Sequence, residues 1–105
     1  MGKPDTRRLD KAIQQTTRKL EAVQNREMWP LNSRERRAVL GAIGSGAVSL
    51  HRGNGTARAD RRLDTAWQSA ETRLTTEITA LRMERQRIVT EAAKTKAAKK
   101  SSGWW

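Results

Sequence analysis

Residues 57–98 read ARADRRLDTAWQSAETRLTTEITALRMERQRIVTEAAKTKAA, and neither Gly nor Pro interrupts them. Leu63, Trp67, Ala70, Leu74, Ile78, Leu81, Arg85, Ile88 and Ala92 recur along the stretch at helical spacing. The pattern predicts one long helix with Thr56 as its cap. The four-four step across Ala70, Leu74 and Ile78 breaks a strict heptad. At about 1.5 Å per residue such a helix is roughly 60 Å long.

Two shorter helices precede it. Asp5 or Thr6 can cap the first, and Leu9, Ile13, Thr16, Leu20 and Val23 form a narrow stripe at steps of 4, 3, 4 and 3. Pro30 disfavours helical geometry at Trp29, so the helix is expected to stop near Glu27 or Met28. Asn32 and Glu35 have capping-box spacing and open the second helix. Val39, Leu40, Ile43, Ala47 and Leu50 are its expected apolar side. Gly41, Gly44 and Gly46 weaken that helix unless it packs closely, and Gly46 is a candidate helix end. Ser49 to Thr56, with Gly53-Asn54-Gly55, reads as a loop.

The fold expected is all-α, with helices over about 5–28, 32–48 and 57–98 in a helical hairpin or coiled-coil-like arrangement. A single helical domain covers 1–92, and a flexible basic Lys/Ala-rich tail covers 93–105. Trp67 is a core residue, and Trp29 is expected to staple the end of the first helix against its neighbours. The first two helices look too short to cover the third, so a homodimer is expected. Leu74, Ile78, Leu81 and Ile88 are its candidate interface.

Composition narrows the function. The 105 residues hold 22 Lys and Arg against 11 Asp and Glu, a net charge of +11. Leu, Ile and Val number only 16, about 15% of the chain, which is sparse for a self-sufficient globule. Most of them fall on the three stripes, which argues against disorder of the whole chain. The positive excess is uneven: +3 over 1–30, +3 over 31–56, +1 over 57–91 and +4 over 92–105. The body of the long helix is therefore nearly neutral, as suits a packed helix with paired flanks.

Cys is absent, which excludes disulfides and thiolate metal sites. His51 is the only histidine, so no metal or cofactor is expected. The acids sit at helical spacing among arginines, Glu77 near Arg73 and Glu84 near Arg87, and no catalytic triad can be assembled from them. Enzyme activity is not expected. Gly41-Ala42-Ile43-Gly44-Ser45-Gly46 follows no strand and lacks the Lys-Ser/Thr of a phosphate-binding loop. The longest uncharged run, 38–50, is 13 residues, short of a membrane span, and Met1 to Leu20 is charged throughout. A cytoplasmic location is the default expectation.

The basic residues carry the functional reading. Arg34, Arg36 and Arg37 crowd the first turn of the second helix, where a bound phosphate would relieve their repulsion from the helix dipole. Arg58, Arg61 and Arg62 open the third helix, and Arg52 lies in the loop between the two groups. In a hairpin the two helix starts lie at opposite ends, so the groups need not share a patch within one chain. Lys94, Lys96, Lys99 and Lys100 punctuate the tail, which ends in Trp104 and Trp105 after Ser101-Ser102-Gly103. Those tryptophans could stack on bases, dock on a partner or fold back.

Leu31-Asn32-Ser33-Arg34-Glu35-Arg36-Arg37-Ala38-Val39-Leu40 is similar to the opening of LuxR-type helix-turn-helix domains, with their Leu, Arg-Glu-Arg and Val-Leu pair. The likeness covers these ten residues and stops at Gly44-Ser45-Gly46, where that family places two more short helices. The 92–100 segment resembles the Lys/Ala-rich tails of linker-histone-like and other bacterial DNA-associated proteins, which implies phosphate binding without sequence reading.

The leading expectation is a non-enzymatic nucleic-acid-binding protein, DNA favoured over RNA, acting as a helical dimer through phosphate electrostatics. The alternative is a small adaptor, inhibitor or regulatory subunit whose long helix docks on an acidic protein. Attachment to an anionic membrane through the lysines and terminal tryptophans ranks below both.

Overall fold

The structure is a computed structural model and describes residues 4–102. They form three α-helices, α1 (Arg7–Gln24), α2 (Ser33–His51) and α3 (Ala57–Ser102). α3 thus extends four residues beyond the expected end and carries the tail lysines on helix, with Lys99 and Lys100 in its last turn, where cations suit the dipole. No helix among the described residues is long and apolar enough to cross a membrane.

The chain makes a rod of 84 × 18 × 18 Å. Both short helices pack on α3 and neither packs on the other. Arg85 binds Asp10, Gln24 meets Glu71, Arg73 binds Glu35, and Gly46 approaches Ala59. Moving forward from 10 to 24 in α1 means moving backward along α3 from 85 to 71, and moving forward from 35 to 46 in α2 means moving backward from 73 to 59, the two runs meeting near 71–73. α1 and α2 are one broken helix laid antiparallel on a continuous one. The two short helices lie end to end, and α1 extends the cover of α3 to about Arg85–Ile88; beyond that, residues 93–100 are exposed.

Helix starts fall where the sequence places them, but Thr6 makes no side-chain bond to the α1 backbone, and the Arg7 amide donates to Asp5 Oδ1 at 3.1 Å instead. Thr6 and Thr56 each donate their hydroxyl to an Asp one turn on, Asp10 and Asp60, at 3.0 Å. Asn32 accepts from the Glu35 amide at 2.8 Å while Glu35 accepts from the Asn32 amide at 3.0 Å, a complete capping box.

Helix ends depart from expectation. α1 stops at Gln24, not near Met28, because Arg26 turns left-handed at φ 62°. The Glu27 amide then reaches Ala22 O and the Arg26 amide reaches Val23 O, a Schellman closure with Arg where Gly is usual. The Arg26 guanidinium lies 5.4 Å from the Trp67 ring, a cation–π contact that helps offset the strained backbone. α2 ends the same way at Gly53, φ 78°, with the Asn54 amide on Ser49 O and the Gly53 amide on Leu50 O. Gly46 is therefore inside the helix, not its end, and only 52–56 remain as loop.

The core lies where the α1–α2 turn crosses α3. Val23, Leu31, Val39, Ala66, Trp67, Ala70 and Leu74 are buried together, flanked by Leu20, Met28 and Leu63. Thr16 is tolerated in the α1 stripe because its hydroxyl bonds back to Ala12 O at 2.8 Å. Trp29 is 57% exposed and does not staple the helix end. Leu31 takes the interior place there instead.

Of the expected apolar side of α2, only Val39 faces inward. Val39 and Ala42 are buried, whereas Leu40, Ile43, Ala47 and Leu50 are exposed. Small residues face α3 because the helices approach closely. A Cβ on Gly46 would stand 3.3 Å from the Ala59 Cβ, whereas one on Gly41 or Gly44 would meet nothing within 4 Å. Gly46→Leu should thus lose about 1–3 kcal/mol of stability by overpacking. Gly41→Ala should gain up to about 1 kcal/mol from helix propensity. Chemical denaturation of the two variants checks the contrast, and equal effects would refute the close crossing.

Candidate nucleic-acid interface

Antiparallel packing of α2 on α3 leaves a groove of about 900 Å³ along their seam. Arg34 enters it from α2, and Arg58, Arg61, Arg62 and Arg73 enter it from α3. The side chains of Ala38, Thr65, Ala66 and Ser69 line it between them, with Asn32 and Glu35 at one end. From Arg58 to Arg73 the lining extends about 22 Å along α3.

Glu35 is the one acid in this lining, and it is already engaged. Arg73 donates to its two oxygens, from Nε at 2.7 Å and from Nη2 at 2.9 Å. The same guanidinium reaches Pro30 O at 3.3 Å and pairs with Glu77 at 3.7 Å. Arg73 therefore locks the start of α2 onto the middle of α3. Arg34, Arg58, Arg61 and Arg62 are different: among the described residues none of the four forms an ion pair with an acid. Arg61 only turns its Nε onto Ala57 O at 3.4 Å. Asp60 and Asp64 share that turn of α3 but lie outside the lining. Four uncompensated guanidinium groups thus converge on one strip of small, partly hydroxylated side chains.

Partial burial opposes ionisation of Glu35 and is the largest single influence on it, yet Arg73 and the Asn32 amide outweigh burial and hold its carboxyl below the usual range. The Arg73 guanidinium is correspondingly raised, first by its hydrogen bond to Glu35. A carboxylate depressed in the fold contributes stability above its ordinary value of 4.5, and that stability is lost as pH falls through the lower folded value. Glu35→Gln should lose about 1–2 kcal/mol at neutral pH after allowance for solvent screening. It should also flatten the loss of stability below about pH 4.5. Denaturant melts from neutral to acid pH check both, and an unchanged acid limb would remove Glu35 from this role.

The structure sorts the sequence-derived candidates. Arg34 joins Arg58, Arg61 and Arg62 within a single chain because the groove runs along the hairpin and not across one end. Arg36 and Arg37 are exposed outside the groove lining, with Arg37 Nε on Ser33 O at 3.3 Å. Arg52 is exposed at the end of α2, also outside the lining. Lys94, Lys96, Lys99 and Lys100 are exposed on distal α3, starting about 32 Å beyond Arg73. Trp104 and Trp105 lie outside the described residues. Of the candidate dimer contacts, Leu74 and Ile78 are buried within the chain, and Leu81 and Ile88 are partly buried.

Sequence reasoning missed Arg73, Asn32, Thr65 and Ser69 as groove residues. Arg73 was paired with Glu77 one turn away, but its shorter bonds go to Glu35, 38 positions earlier. A search of family models, curated proteins and solved structures finds no match to this chain.

Proposed function

We propose that the chain is a non-enzymatic nucleic-acid-binding protein that holds a phosphate backbone, DNA before RNA, in the α2–α3 groove. The observation that carries this reading is the convergence of Arg34, Arg58, Arg61 and Arg62 without an acid to neutralise them. Their guanidinium groups bind phosphate oxygens with planar, multidentate geometry. Small neighbours allow the backbone to approach closely, and Thr65, Ser69 and Asn32 offer further donors to phosphate and sugar oxygens. Nothing in the lining is arranged to read base edges, so affinity is expected to be independent of sequence and steeply dependent on salt.

An adaptor that docks through its long helix fits less well. The apolar stripe of α3 is already occupied by α1 and α2, and the depth it would offer a partner is filled. An acidic protein in the groove is the remaining form of that reading. The test is titration of labelled duplex DNA by anisotropy over a salt series, with alanine variants of the four groove arginines. Wild-type affinity in those variants would defeat the proposal. A stoichiometric acidic protein retained after nuclease treatment, lost in the same variants, would replace nucleic acid by protein.

A further inference from the structure

Between Val39 and Ala66 only two residues are buried, Ala42 on α2 and Ala59 on α3. By contrast Ala66, Trp67, Ala70, Leu74 and Ile78 are all buried in the next stretch of α3. The loop end of the α2–α3 hairpin, residues 41–62, is thus joined by two methyl groups and the approach of Gly46 to Ala59. Its side-chain hydrogen bonds, Thr56 to Asp60 and Arg61 to Ala57 O, stay within the start of α3. Among the described residues no ion pair crosses it, and the bridge between the two helices, Arg73 to Glu35, lies at the other end. Gly41, Gly44 and Gly46 all fall in this half of α2. A Cβ on Gly41 or Gly44 would meet nothing, so those two weaken the helix without admitting a neighbour. Leu40 to His51 is twelve residues with three glycines, too short and too weak to be helical alone.

We propose that this loop end opens locally in a substantial fraction of the free chain and closes when a phosphate backbone occupies the groove. The inference rests on the phosphate-binding reading of the groove and adds what binding does to the chain. The groove spans the boundary between a firm half and a loose one. Arg34 and Arg73 line it where the Glu35 bridge and buried Val39 fix α2, whereas Arg58, Arg61 and Arg62 line it on the loose end. A backbone that engages both sets ties the loose end to the fixed one. Opening takes Arg58, Arg61 and Arg62 out of place, so the open form binds weakly. A ligand that prefers the closed form shifts the chain toward it, and whatever closes the chain strengthens binding in return. α1 takes no part, because it does not pack on α2. Gly41 and Gly44, neither of which lines the groove, then have a role that packing does not give them: they keep this end poorly closed until the ligand arrives.

The experiment is amide hydrogen exchange, followed by NMR, on the nuclease-treated full chain, free and with blunt duplex DNA at low salt. In the free chain the amides of 44–51 should exchange at least about tenfold faster than those of 66–78. Free duplex at about a hundred times Kd should slow the 44–51 amides about a hundredfold, because they must release the DNA to open. Gly41→Ala combined with Gly44→Ala favours the helix by up to about fivefold at each position. That variant should slow free-chain exchange in 44–51 and tighten duplex binding about twofold or more, although neither residue touches the ligand. Amides of 44–51 as protected as those of 66–78 in the free chain, or wild-type affinity in the glycine variant, would overturn the proposal. A chain that binds duplex while 44–51 exchanges unchanged defeats this inference alone. A chain that binds no duplex defeats the groove reading and this inference with it.

Discussion

Trp67→Ala is expected to remove a large part of the folding stability. Trp67 is 5% exposed and sits in the buried cluster that joins α1, the connecting turn, α2 and α3. Truncating a buried Trp costs about 3–5 kcal/mol through lost transfer energy and the cavity left behind. A chain of this length has a total of about 5–15 kcal/mol. The rod makes the effect severe, because a cross-section of 18 Å provides few other contacts to compensate. Arg26 would also lose the ring it lies over, and its left-handed backbone would lose that support. Urea unfolding followed by helical circular dichroism measures the change. Trp29→Ala is the control: it is largely exposed and should move stability by less than about 0.5 kcal/mol. Equal effects of the two substitutions would mean that the core is not where the three elements meet.

Trp67 was legible because its place in a long 3.6-residue period has few alternatives. The same holds for α3 as a whole and for the Asn32–Glu35 capping box, whose physics is local. α2 was harder to read. Its apolar residues suggest an inward face that includes Val39, but close approach of α3 at Gly46 rotates the contact from Leu40 and Ile43 toward Ala42. Periodicity finds a stripe and does not say which of two stripes a neighbour can reach. Arg26 was hidden for another reason: a left-handed helix end usually announces itself with Gly, and here a ring contact with a residue 41 positions away accompanies the exception. The groove has the same origin. Each arginine group was visible, but the registration of α2 against α3, tied by Arg73 and Glu35, decides which of the arginines meet.

That registration makes the strongest functional prediction specific to place and not merely to charge. Replacing Arg34, Arg58, Arg61 and Arg62 by Ala removes four of the eleven net positive charges. Replacing Lys94, Lys96, Lys99 and Lys100 removes the same number. If only net charge attracted DNA, the two variants would be equivalent. If the groove holds the backbone, each of its arginines displaces condensed counterions, and the slope of log affinity against log salt should fall by about 0.9 per contact. Four contacts give a change of about 3–4 in slope and, at about 0.1 M salt, close to a thousandfold loss of affinity. The lysine variant should lose much less, because its charges lie on distal α3, far from the groove and exposed to screening. Arg36→Ala with Arg37→Ala provides a third comparison, since both residues share the α2 turn of Arg34 but lie outside the groove. Their loss should alter affinity only by a small, salt-sensitive factor. Equal losses from the groove and lysine sets would reduce the arginine groove to one part of a diffuse field, whereas the unequal outcome would trace DNA binding to the alignment of α2 on α3.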